Sequence, residues 1–202
     1  MYRHMKWVWI FIFFTVLIWS GYEPKDRATW VLEVLPAVIG FLILAFTYNS
    51  FRLTTLLYVL ILTHMIVLMI GGHYTYAHVP IHDVINGYFG QDRNNYDKIG
   101  HLMQGAVPVM VAREITIRKN IFTAYNGWFI FFLLSFVLAL SSFYELLEWW
   151  SALIMGGSAD QFLGTQGYVW DTQSDMCCAL VGAIFSLIVF SRLHDKKLQE
   201  IS

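Results

Sequence analysis

Six apolar stretches, at roughly 5–20, 30–48, 53–71, 98–113, 127–150 and 172–192, divide this chain of 202 residues. Each is close to the ~20 residues that a helix needs to cross the ~30 Å hydrocarbon layer of a bilayer. The expected fold is therefore all-α: a polytopic membrane helix bundle with about six transmembrane spans, forming a single domain over residues 1–202. Composition agrees, with 57% hydrophobic and only 13% charged residues, about half the charged share of a typical soluble domain. A net charge of −1 offers no basic face for phosphates, so a nucleic-acid partner is excluded. Cys177 and Cys178 are adjacent inside an apolar run and build no disulfide framework. Arg3 and Lys6 before Trp7–Trp19 imitate a signal peptide, but no small-residue cleavage site follows. The expectation is an uncleaved first span.

Orientation follows from Lys and Arg, which accumulate on the cytoplasmic side. With the N-terminus inside, Arg3, Lys6, Arg52, Arg113, Arg118, Lys119, Arg192, Lys196 and Lys197 are cytoplasmic, and Lys25, Arg27, Arg93 and Lys98 are not. Nine of the thirteen basic residues then obey the rule. Six spans return the C-terminus to the cytoplasm. Trp7, Trp9, Trp19, Trp30, Trp128, Trp149, Trp150 and Trp170 fall near span ends, as an interfacial aromatic belt does.

In this arrangement the outer ends of three spans carry paired ionisable residues: Asp97 with His101, Glu145 with Glu148, and Asp171 with Asp175. Residues three or four apart share a helix face, so each pair can point into one bundle interior. Glu33 lies one turn into the second span at the same end, and the cytoplasmic end is expected to hold nothing comparable. Carboxylates and imidazoles on facing helices are how bundle metal sites are built. Oxygen-rich sites suit Mg²⁺, Ca²⁺ or Mn²⁺, and an imidazole widens the choice to Zn²⁺ or Fe²⁺. The expected cofactor is a divalent metal ion, with Asp97, His101, Glu145, Glu148, Asp171 and Asp175 as candidate ligands. Asp97 and Asp171 also stand where helix N-caps belong, whereas His101, Glu145 and Asp175 lie too deep for capping.

The 72–97 connection covers the same face and carries His73, Tyr74, Tyr76, His78, His82 and Asp83. Val84–Phe89 within it reads as a short interfacial helix. His73, Tyr76, His78 and Lys98 are the expected substrate contacts. His64 reads as a hydrogen-bonded core histidine. Gly156, Gly157, Gly164 and Gly167 make 151–171 turn-rich, and Asp160 and Gln166 within it are within reach of the site but read first as part of a solvated loop. The small-residue couples Ala179/Ala183 and Cys178/Gly182 read as helix contacts.

DRATWVLEVLP (26–36), GGHYTYAHVP (71–80), YDKIGHLMQG (96–105), YELLEWW (144–150) and GTQGYVWDTQSDM (164–176) together give the chain a resemblance, over almost its whole length, to the YjdF-like family of bacterial inner-membrane proteins. That resemblance implies a multi-pass inner-membrane protein and no particular activity. More distantly, Asp97-Lys98-x-x-His101, then Glu145-x-x-Glu148, then Asp171-x-x-x-Asp175 is similar to the VanZ-like pattern. Glu148 stands where that pattern has Gln, with no clear Arg ahead of Asp171 and no Asn after Asp175. The similarity implies a role at the cell envelope, facing lipid.

Two functions compete. One is an outer-leaflet enzyme carrying out metal-assisted hydrolysis or transfer on a lipid or lipid-linked envelope substrate. His101 or Glu145 is then the catalytic general base, and a divalent ion polarises a phosphoryl or ester oxygen. Lys98 and Arg93 are positioned to meet a phosphate. The other is a non-enzymatic ion- or ligand-binding envelope protein or small transporter. The expected partners are membrane lipids in either case.

Overall fold

The computed structural model describes residues 3–80, 93–122, 124–155 and 166–201. The expected helix at Val84–Phe89, and His82, Asp83, Gly156, Gly157, Asp160 and Gly164, lie outside the described residues. Among the described residues all regular structure is helical: α1 Arg3–Gly21, α2 Arg27–Thr47, α3 Thr55–Tyr74, α4 Tyr96–Arg118, α5 Gly127–Met155 and α6 Asp171–Gln199. The expected all-α bundle is what forms. α2, α3, α5 and α6 are long and apolar enough to cross a membrane by length and composition, and the apolar part of α1, Met5–Gly21, is shorter. α4 is the polar helix, buried at positions from Tyr96 to Thr116. Its 23 residues extend roughly 34 Å at ~1.5 Å each. α4 and α6 overrun their apolar limits most, to Arg118 and Gln199. Arg, Lys and Gln are good helix formers, so the helix continues past the point where hydropathy falls.

Local chemistry sets the ends. Asp26 is the α2 N-cap, extended in backbone, with its Oδ1 accepting from the Thr29 N–H at 2.7 Å. α3 stops in a left-handed turn at Thr75, where the Tyr76 N–H donates to the Gly71 carbonyl at 2.8 Å and the Thr75 N–H donates to Gly72. This is the six-to-one and five-to-two pairing of a Schellman cap. It folds Tyr76 back over α3, so that a Cβ at Gly71 would strike the Tyr76 ring. The Lys25 N–H donates to the His73 carbonyl, joining the start of α2 to the end of α3.

α4 and α6 make the closest crossing. A Cβ on Gly105 would collide with the Ala179 carbonyl, and one on Gly182 with the Leu102 carbonyl. Ala179 and Ala183 are fully buried there, which agrees with the small-residue contact read from the sequence. Close approach of this kind is how helices associate in lipid, where apolar burial gives no net drive.

The end of the bundle where α4 and α6 finish is locked by ions. Glu114, fully buried, accepts from the Thr54 N–H at 3.0 Å, the Thr54 hydroxyl at 2.7 Å and Arg118 at 2.9 Å. His194, also fully buried, joins Glu114 through Nε2 at 2.9 Å and Arg113 through Nδ1 at 2.7 Å. A guanidinium only donates, so Nδ1 accepts and the Nε2–H donates to Glu114. Arg113 also pairs with Asp195 at 2.6 Å. This corrects the expectation that this end holds nothing comparable. Arg113 and Arg118, read from the sequence as orientation charges, act here as helix clasps, and Glu114 and His194 are 80 residues apart in sequence.

Candidate carboxylate and histidine site

At the opposite end, the first turns of α4 and α6 meet the last turns of α5. Asp97, Lys98, His101 and Gln104 share the inward side of α4. His101 is buried, with its Nε2 at 3.4 Å from Asp97 Oδ1 and 4.0 Å from Asp175 Oδ2. Its Nδ1 lies 3.0 Å from Gln104 Oε1 and 3.8 Å from Glu145 Oε1. An amide oxygen only accepts, so Nδ1 carries hydrogen and donates to Gln104. Nε2 is then the atom turned toward two carboxylates. One donor atom from each of Asp97, His101 and Asp175 lies within 4.8 Å of the other two.

Lys98 stands beside this triad. Its ammonium donates to Asp175 at 2.6 Å, Asp171 at 2.7 Å and the Ser174 hydroxyl at 2.7 Å. Arg93 also pairs with Asp171 and lies 3.9 Å from Asp97. The expectation that Asp97 and Asp171 cap their helices is not met. The caps are Asn95 and Trp170, which puts both aspartates inside the first turn. A carboxylate still gains there from the positive end of the helix dipole. Glu145 is buried, and its Oε1 has no hydrogen-bond partner.

A cavity of about 160 Å³ adjoins the triad, lined by Glu33, His64, Tyr76, Asp97, His101, Gln104, Tyr144 and Glu148 among others. The Tyr144 hydroxyl donates to Glu33 Oε2 at 3.3 Å. Burial pushes the Tyr76 hydroxyl well above the ordinary tyrosine range, and nearby Glu33 adds to the effect. Of the six residues read as ligands, Asp97, His101, Glu145, Asp171 and Asp175 share one network, and Glu148 lies on the cavity wall beside them. Of the four expected substrate contacts, Tyr76 lines the cavity and Lys98 belongs to the ionic network. His73 is elsewhere, bonded to the Ser20 carbonyl at 3.0 Å and against the Trp19 ring, and His78 bonds the Thr75 hydroxyl at 3.0 Å.

Gln104 and Tyr144 are the residues the sequence reading passed over. Gln104 is three positions from His101, and Tyr144 is four before Glu148. That spacing is the available signal. His64 proves to be a cavity residue whose Nε2 is buried without a partner, not the hydrogen-bonded core histidine expected.

Residues 5–196 match the family described as "Predicted membrane protein (DUF2238)". The chain is 47% identical over 184 residues to "Inner membrane protein YjdF" of Escherichia coli (strain K12), covering 91% of this chain and 88% of that protein. No solved structure matches. A family match over nearly the whole length, with that relative beside it, means that the chain belongs to the DUF2238 family of membrane proteins.

Proposed function

We propose that this protein is a membrane-embedded enzyme of the outer leaflet, using a divalent ion held by Asp97, His101 and Asp175 on a lipid or lipid-linked envelope substrate. The carrying observation is the aim of His101. With Nδ1–H given to Gln104, Nε2 points at two carboxylate oxygens, 3.4 and 4.0 Å away. A bare lone pair facing two anions is repulsive, so a cation or a proton belongs between them. Two donors each ~2.1 Å from one ion stand ~3 Å apart at a right angle and ~4.2 Å apart when opposite, and these distances fall in that interval. Metal-bound histidines commonly give their second N–H to an oxygen, which is the role Gln104 fills.

A divalent ion at this position supplies a Lewis acid for a phosphoryl or ester oxygen. Glu145, buried and with Oε1 unbonded, is the group available to take a proton. Lys98 and Arg93 neutralise Asp171 and Lys98 fixes Asp175, so Asp171 is a positioning residue and not a ligand. The nine-to-four basic asymmetry supports an outward-facing site.

Element analysis of detergent-purified protein tests this reading. Wild type and Asp171→Asn are expected to carry about one divalent ion per chain, and Asp175→Ala and His101→Ala much less. Metal-free wild type would overturn the proposal. One observation favours a second reading, a non-enzymatic ligand-binding protein whose cluster holds protons: the Lys98 ammonium already neutralises Asp171 and Asp175. Metal-free wild type is the outcome that this alternative predicts.

A further inference from the structure

A second cavity, of about 570 Å³, lies between α2, α3 and α4. Its lining is overwhelmingly apolar, with Ile43, Leu44, Ile61, Met65, Val111 and Phe136 among the walls. It shares Pro36, His64, Leu68 and Pro108 with the polar cavity of the site. The two spaces therefore adjoin. Pro36 and Pro108 are helix-interior prolines, and each removes a backbone hydrogen bond from its helix. They bound the junction on α2 and α4. From there the apolar space follows α2 to Thr47 and ends near Ser50 and Lys119.

We propose that this space holds the hydrocarbon chain of a single-chain amphiphile whose polar end lies among Glu33, Asp97, His101 and Glu148. Length and position point to the occupant. Pro36 to Thr47 spans eleven residue-to-residue rises, or roughly 17 Å at ~1.5 Å each. An extended alkyl or isoprenoid chain runs along that length with its polar end at the residues shared with the site. Chemistry points the same way. An apolar cavity does not hold water well, and between His64 at one end and Thr47, Ser50 and Lys119 at the other the walls are apolar. The carboxylates, imidazole and phenols at the other end suit a polar head bearing hydroxyls, an amine or a metal-bridged phosphate.

This inference rests on the lipid-substrate reading and names the substrate class. The test is photo-cross-linking of purified protein in micelles with a sixteen-carbon alcohol carrying a diazirine at its methyl end, with adducts mapped by peptide mass spectrometry. Adducts are expected along Ile43–Thr47 and Val111–Ile115. Val111→Trp on α4 and Ile61→Trp on α3, each of which narrows the space from a different wall, are expected to lower the yield at least fivefold while metal content and elution profile stay as in wild type. Adducts outside the cavity, adducts confined to the Pro36 and His64 end, or yields unchanged in both variants would overturn the chain site. Cavity adducts in metal-free protein would remove the catalytic reading and leave the chain site standing. Bound metal with adducts elsewhere would do the reverse.

Discussion

Single residues carry more of this structure than the apolar pattern suggests. His101 is legible from sequence as a polar group one turn inside a span, but its tautomer is not. That needs Gln104, whose importance lies in which ring nitrogen it engages. Asp26 is the reverse case, with a local role that its position before an apolar run makes readable. Its carboxylate accepts from the Thr29 N–H at 2.7 Å, and that bond holds its pKa below the ordinary aspartate value. Asp26→Ala is expected to cost about 1 kcal/mol, as loss of an N-cap typically does. The sign with pH follows. The unfolded carboxylate takes up a proton first, so the cap's contribution is complete above the ordinary aspartate range and disappears as pH falls through the lowered value. Thermal unfolding of wild type and Asp26→Ala should give a Tm gap at pH 7 that closes in acid. A gap that widens in acid would contradict the cap.

At the scale of elements, α4 is decisive. Its charges keep it from being an apolar span, yet most of them are turned inward, so the other helices are arranged around it. The sequence exposes half of its contact with α6. Ala179, Gly182 and Ala183 read as a small-residue stripe, and all three are buried. Cys178 was paired with Gly182 in that reading but is only half-buried. The facing Gly105 on α4 escaped notice, because one glycine in an apolar run has no periodicity to announce a partner. It meets the Ala179 carbonyl so closely that even a methyl group forces the helices apart. Gly105→Ala should therefore lower Tm by several degrees and also reduce bound metal, since the same crossing sets Asp97 and His101 against Asp175. Gly127→Ala, where an added Cβ meets nothing within 4 Å, should leave both unchanged within the ±0.5 kcal/mol usual for surface positions. Equal losses from the two substitutions would mean that the crossing does not position the site.

Across the whole molecule, the two ends of α4 and α6 have different chemistry. At one end His194, Glu114, Arg113 and Asp195 satisfy one another. At the other, Glu145 Oε1 and Asp171 Oδ2 are buried without partners. A completed polar network fixes helices, and an incomplete one is where a ligand finds bonds to make. Apolar length alone reveals the helices and the end at which each ionisable couple lies. It does not reveal which polar group answers which, because partners 70 to 80 residues apart are joined only by packing. The assignment of the incomplete end to the outer face depends on the basic residues at the clasped end, including Arg52, Arg113, Arg118, Lys119, Lys196 and Lys197. Some of these are engaged, Arg118 with the Arg52 carbonyl and Glu114, for example, but a paired cation still counts in the asymmetry. The two ends of α2 offer a direct check, since Ala28 and Ser50 are both exposed. In a Cys177→Ser, Cys178→Ser background, a membrane-impermeant maleimide applied to intact cells should label Ala28→Cys and spare Ser50→Cys, with both labelled after the membrane is opened. The opposite pattern would turn the carboxylate and histidine site toward the cytoplasm and end its reading as an outer-leaflet centre. The chain-sized cavity would keep its geometry and take its substrate from the inner leaflet.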